Sequence, residues 1–199
     1  MIRTAWTVGL AALIAAGASA QEPPARAEIG KPVKAFKLKD AMKDEETMVD
    51  LASFKGKSAV VLVWISEKCD ITWRYEKRTG ALQKEFGEKG VKFFAVWSSA
   101  ADSAQSIRKY AESKNYAMPV LDDAKGELAR HFGATVTPTY MVIDKEGLLR
   151  YRGACDDLQC SGAGYKSDET EAKDRYVAAA LTSVLDGKEV AVTEKKGFG

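Results

Sequence analysis

The chain has 199 residues, 46% of them apolar and 29% charged, and its 30 basic and 28 acidic side chains leave a formal charge of +2. That length suits one domain with additions, the apolar share supports a packed core and excludes wholesale disorder, and the balanced charge leaves no electrostatic footprint for nucleic acid. Three cysteines and a single histidine exclude a multi-histidine metal site and leave an odd number of thiols.

The N-terminal segment reads as a targeting signal. Arg3 is a short basic region, residues 5–16 are almost wholly apolar, and Gly17-Ala18-Ser19-Ala20 places small residues before Gln21. This pattern predicts a secretory signal peptide over 1–20, cleaved after Ala20. The apolar run is shorter than the roughly 20 residues needed to cross a bilayer. The mature chain is therefore expected to lack a membrane span and to work in the periplasm or outside the cell, where disulfides persist. Residues 21–30, with Pro23-Pro24, read as a linker, 31–192 as one domain, and 193–199, with Lys195-Lys196, as a solvated, frayed tail.

Short strands are expected around 36–38 and 47–51, with a turn at 54–57. Residues 59–65 (AVVLVWI) form a continuous, largely β-branched run, which predicts a strand buried on both faces. Residues 70–86 follow helical periodicity through Ile71, Tyr75, Arg78, Leu82 and Phe86, with Glu76, Lys77, Lys84 and Glu85 on the polar side. A second buried strand covers 91–97. Asp102 or Ser103 can cap a helix whose apolar face is Ala104, Ile107 and Ala111. An extended piece at 118–122 and a brief helix at 127–132, stopped by Gly133, come next. Strands at 139–143 and 148–151 flank an acidic-glycine turn and form a hairpin. A helix over 171–185 closes the domain, with Tyr176, Val177, Ala180, Leu181, Val184 and Leu185 inward. Parallel crossovers followed by an antiparallel pair predict an α/β chain: a central mixed sheet flanked by helices on both faces.

The segments VVLVWISEKCDIT (60–72), VKFFAVW (91–97) and GATVTPTYMVIDKEGLLRYRG (133–153) carry a resemblance to the thioredoxin-like fold. More narrowly, the chain resembles the redoxin group, the alkyl hydroperoxide reductase and thiol-specific antioxidant (AhpC/TSA, peroxiredoxin-like) family, across about 29–192. Cys69 is the centre of that resemblance. It follows a buried strand and opens a helix, where the amide dipoles favour an anion. Lys68, Arg74 and Arg78 add positive charge and Glu67 and Asp70 oppose it, so a moderately activated thiolate is expected. Ser66-Glu67-Lys68-Cys69 matches the peroxiredoxin T/S-x-x-C pattern, and the resemblance implies that Ser66 and Thr72 assist the sulfur by hydrogen bonding.

The chain also departs from its relatives. The second cysteine of a dithiol C-x-x-C is replaced by Thr72, and the peroxide-polarising arginine of peroxiredoxins is replaced by Pro138, leaving Arg74 or Arg78 as substitutes. Thr137-Pro138 resembles the cis-proline loop of thioredoxins, which implies a cis bond and backbone docking of a substrate chain. Trp73, beside Cys69, is a further docking candidate, whereas Trp64 reads as core.

Cys155 and Cys160 lie close in sequence after the last strand. They read as a structural disulfide or as a resolving pair for Cys69, placed near the same edge of the sheet. A metal is set aside for want of a third soft ligand, and no cofactor is expected. His131 reads as a solvated helix-terminal residue. The function expected is that of an exported thiol oxidoreductase acting through Cys69 on a disulfide-bearing protein or a peroxide, regenerated by an external thiol reductant. The alternative is a binding module on the same fold, without turnover.

Overall fold

The computed structural model describes residues 26–44, 46–158 and 172–197. The expected signal peptide, the first half of the linker, Cys160, residue 171 and the last two residues lie outside them.

The first strands, β1 (Lys37–Lys39) and β2 (Met48–Asp50), pair antiparallel as a separate two-stranded sheet. A 3₁₀ turn at Leu51–Phe54 follows, started by the Asp50 carboxylate accepting the Ala52 N–H at 2.9 Å. It delivers the chain to β3 (Val60–Trp64), in which every residue is buried. Burying a large apolar side chain is worth roughly 1.5–3 kcal/mol, so this strand anchors the core.

β3 pairs in parallel with β4 (Lys92–Trp97) and antiparallel with β6 (Thr139–Ile143). With β5 (Val120–Asp122), β7 (Leu149–Gly153) and β8 (Glu194–Lys195), these strands form a six-stranded mixed sheet of order β5-β4-β3-β6-β7-β8. The parallel steps from β3 to β4 to β5 run through α1 (Asp70–Arg74), α2 (Glu76–Gly87) and α3 (Ala104–Ser113). These helices share one face with α5 (Tyr176–Leu185), around Val61, Val63, Leu82, Phe86, Ile107, Tyr140 and Leu181. The return from β5 to β6 runs through α4 (Glu127–Phe132) on the opposite face, where Leu128 and Phe132 meet Leu62, Trp64 and Met141 beneath the β1–β2 hairpin. The two parallel crossovers from β3 to β4 to β5 share one hand and so one face, and the antiparallel return to β6 carries α4 over the other.

Three features differ from expectation, and one decides between two expected caps. The helix from residue 70 is divided at Tyr75, which has φ −90° and ψ −4°. The Tyr75 N–H is shared between the Ile71 and Thr72 carbonyls at 3.3 and 3.1 Å, a tightened turn. Its buried ring sends the hydroxyl to the Leu158 carbonyl at 2.5 Å. Next, α5 begins only at Tyr176, and Leu185 faces solvent at 42% exposure. Of the two α3 caps expected, the chain uses Ser103, which accepts the Ser106 N–H at 3.1 Å, while Asp102 is drawn away by the Trp97 indole N–H at 3.0 Å.

Finally, both chain ends are docked where a linker and a frayed tail were expected. Ala27 N–H donates to the His131 carbonyl at 2.7 Å, and β8 adds in parallel to β7. Gly153 has φ +139°, and a Cβ there would strike the Lys195 carbonyl, so only glycine admits this approach. Arg152, 7% exposed, ties the ends together. Its guanidinium donates to the Ala27 and Phe132 carbonyls at 3.0 and 3.1 Å and to Glu194 at 2.9 Å.

Candidate active site

The site lies at the C-terminal end of β3, the strand between β4 and β6. The chain leaves Trp64, turns through 66–69 with the Cys69 N–H on the Ser66 carbonyl at 3.3 Å, and enters α1. Cys69 is the N-cap of that helix, with extended backbone (φ −105°, ψ 108°), and its side chain is half-buried. The neighbouring β6 brings up the loop ahead of Thr139. In that loop the Thr137–Pro138 peptide is cis. The Cys69 thiol donates to the Thr137 carbonyl at 3.0 Å. Two residues singled out in the sequence by the family resemblance are thus in direct contact.

The hydroxyls expected to assist the sulfur are engaged elsewhere. Ser66 Oγ accepts the Lys68 N–H at 3.2 Å, and the Ser66 N–H reaches the Oγ1 of buried Thr72 at 3.4 Å. Both side chains brace the β3–α1 turn, because its amides need partners within that turn. Each expected cation is also matched by an acid. Lys68 lies 3.6 Å from Asp102 and Arg74 3.6 Å from Asp70. Arg78 contacts the two oxygens of Asp156 at 3.1 and 3.3 Å while covering the Tyr75 ring at 4.5 Å. Hydrogen bonds from Ser99 and Trp97 hold the Asp102 carboxyl below its ordinary range, aided by Lys68. Trp73 stands 44% exposed on α1, with the Arg74 and Lys114 cations at 5.6 and 5.8 Å from its ring. Trp64 is core, as expected, against Phe132 at 5.6 Å.

Cys155 emerges from β7 on the expected side of β6, but its side chain turns inward. It is 5% exposed and lines a cavity of about 430 Å³ with Arg78, Leu82 and Arg175. Arg78 lies nine residues beyond Cys69, about 13 Å along the α1–α2 path at the helical rise. Burial and the Asp156 charge push the Cys155 thiol well up, which a hydrogen bond with Tyr140 and the charge of Arg78 only partly offset. Cys155 is a free thiol; its expected pairing with Cys160 falls outside the described residues.

Three features escaped the sequence reading. Glu76, placed on the polar side of the helix, is largely covered. It accepts the Tyr110 hydroxyl at 3.2 Å and pairs with Lys114 at 3.7 Å, and burial raises its carboxyl despite both partners. His131 sits in the last turn of α4 as expected, and it makes contacts beyond that helix end: its Nε2 accepts the Lys34 N–H at 3.2 Å and its ring meets Phe132 edge-on at 5.1 Å. Ser98, just past β4, links the Trp64 indole N–H (3.1 Å) to buried Asp123 (2.6 Å). None of the three carries a periodicity or motif signal, since each depends on a contact distant in sequence.

A cysteine capping the helix after the central strand, facing a cis-proline loop, is the arrangement on which a family assignment can be tested. The AhpC/TSA family model matches residues 29–152, more than half of the sequence. The chain belongs to the AhpC/TSA family. Within this thioredoxin-like AhpC/TSA architecture, its relatives include thiol-disulfide oxidoreductase ResA of Bacillus thuringiensis, 29% identical over 122 residues that cover 60% of this chain and 66% of that protein. Another is the thiol:disulfide interchange protein DsbE of Pseudomonas aeruginosa, 31% identical over 125 residues, covering 62% and 65% respectively. The match thus spans slightly less than two thirds of each relative. Among solved structures, an uncharacterized conserved protein from Geobacillus kaustophilus superposes with a TM-score of 0.72 at 27% identity, covering 85% of this chain and 88% of that one.

Proposed function

We propose that this AhpC/TSA protein is an exported thiol-disulfide oxidoreductase that works through the single nucleophile Cys69. The observation that carries the reading is the 3.0 Å contact between Cys69 Sγ and the carbonyl of Thr137. It places the thiol beside a backbone segment that an extended substrate can pair with. The names of the two matched relatives support the same chemistry. Export rests on the signal-peptide pattern over 1–20; among the described residues no helix is long and apolar enough to cross a membrane.

In the proposed reaction the Cys69 thiolate attacks one sulfur of a disulfide-bearing protein. The other sulfur leaves as a thiolate and a mixed disulfide remains on Cys69. Thr137, Pro138 and exposed Trp73 form the docking surface, while Ser66 and Thr72 hold the turn that presents the sulfur. Cys155 is buried and strongly protonated, so an external thiol is favoured over Cys155 for release of the product. Disulfide exchange is preferred over peroxide reduction because Arg78 is held by Asp156 and Tyr75 and Arg74 by Asp70, so neither stands in for the missing guanidinium.

Turnover is the test. With dithiothreitol as reductant, the chain should accelerate the reduction of insulin disulfides, and Cys69→Ser should abolish the acceleration while Cys155→Ser retains it. Acceleration that survives in Cys69→Ser would refute the assignment. Wild-type protein that fails to turn over yet binds a disulfide peptide would favour the binding-module reading.

A further inference from the structure

We propose that the Cys69 site accepts small disulfides bearing a carboxylate, seated in a hydroxyl-lined cleft on the α4 side of the thiol. This deepens the thiol-disulfide reading and rests on it. The cleft, about 710 Å³, opens between the β3–α1 turn and the cis-proline loop, with Ser66 on one wall and Thr137 on the other. Thr137, whose carbonyl receives the Cys69 thiol at 3.0 Å, thus belongs both to the surroundings of the thiol and to the wall of the cleft.

The floor of the cleft is built. Ser98 is fixed between the Trp64 indole N–H at 3.1 Å and the Asp123 carboxylate at 2.6 Å. Asp123 also accepts the Leu128 and Ala129 N–H groups, each at 3.0 Å, so its charge is spent on the first turn of α4. Among the described residues, Arg130 is the one charged side chain lining the cleft. Arg130 is solvent-exposed, and one of its N–H groups donates to the Lys125 carbonyl at 2.9 Å. A guanidinium on a cleft that also presents serine and threonine side chains suits a carboxylate, which it can grip at two points. The volume falls within the range of roughly 300–1,000 Å³ typical of small-ligand sites.

The chemistry closes without a further reagent. The Cys69 thiolate attacks one sulfur of the small disulfide, a new S–S bond forms as the old one breaks, and the other half leaves as a thiolate that takes a proton from water. The two electrons gained by the departing half are those lost by Cys69 on entering the new disulfide.

The test uses the full chain carrying Cys155→Ser and Cys160→Ser, reduced and mixed separately with glutathione disulfide (anionic), 2-hydroxyethyl disulfide (neutral) and cystamine (cationic). Adduct formation at Cys69 is followed by mass spectrometry, and each rate is divided by that of the uncharged thiol 2-mercaptoethanol with the same disulfide. The normalised rate with glutathione disulfide should exceed that with cystamine by about tenfold and should fall with salt, as expected for a charge contact. Arg130→Ala should erase the preference and Arg130→Lys should restore part of it. Equal normalised rates, or a preference that persists in Arg130→Ala, would overturn the cleft assignment while leaving Cys69 as the nucleophile. Failure to react even with the neutral disulfide would overturn the nucleophile reading itself.

Discussion

Cys69 and Thr137 are 68 positions apart in the sequence, and the thiol of the first donates to the carbonyl of the second at 3.0 Å. That contact suits the protonated sulfur. Cys69 is the N-cap of α1, and its side chain makes no hydrogen bond to the first-turn amides of that helix. Asp70 is the acid in that first turn, paired at 3.6 Å with Arg74. Asp70→Asn should therefore speed alkylation of Cys69 by iodoacetamide about threefold at neutral pH and low salt, because a carboxylate beside the developing thiolate is removed. An unchanged or slower rate would show that the Asp70 charge does not act on the thiol.

The second thiol should behave in the opposite way. Cys155 is buried, and its environment keeps it protonated at neutral pH. In native reduced protein, iodoacetamide should label Cys69 within minutes and leave Cys155 unmodified, whereas both should be labelled in guanidinium chloride. Rapid native labelling of Cys155, read by peptide mass spectrometry, would contradict the packing described around it.

Arg152 bonds to carbonyls at both the N-terminal segment and the end of α4, the helix that leads into the cis-proline loop. Removing a buried, hydrogen-bonded charge while leaving its partners in place costs about 3 kcal/mol. Arg152→Met should lower the urea unfolding free energy by about that amount. A change below about 0.5 kcal/mol, the level of an ordinary surface substitution, would contradict the clamp.

Glu194, on β8, is held below the usual glutamate value of 4.5, chiefly by its hydrogen bond from Arg152 and further by the charges of Arg152 and Arg26, against a smaller burial effect. A carboxyl lowered by folding contributes stability that is complete above its unfolded value and is lost as pH falls through its folded one. The contribution should thus be full at pH 6 and decline below about pH 4.5. Because the side chain is half exposed, the effect is small. Glu194→Gln should flatten this acid limb in urea titrations at pH 3 to 6; an unaltered limb would contradict the pairing.

The sequence made the central strand legible because a continuous apolar run such as 59–65 has few other solutions. It exposed the Gly133 helix stop and the hairpin through their turn chemistry, and Cys69 and Thr137-Pro138 through family motifs. It did not reveal the division of the helix at Tyr75, since a buried tyrosine satisfies helical periodicity whether or not the helix is straight. Nor did it reveal β8: Glu194 and Lys195 look like a solvated tail, and only glycine at 153 and the part-buried ion pair of Glu194 with Arg152 give them a place beside β7. At the site, the Ser66 and Thr72 hydroxyls were assigned to the sulfur by motif, yet the unpaired amides of a tight turn captured Ser66, and Thr72 was captured with it.

The most direct test of the account is to trap the mixed disulfide. The full chain with Cys155→Ser and Cys160→Ser, reduced and mixed with a peptide containing one intramolecular disulfide, should yield a one-to-one covalent adduct. Tandem mass spectrometry should place the new S–S bond at Cys69, and dithiothreitol should reverse it. Absence of the adduct under conditions in which the same peptide reacts with free cysteine would contradict the central claim that Cys69 is a thiol-disulfide nucleophile.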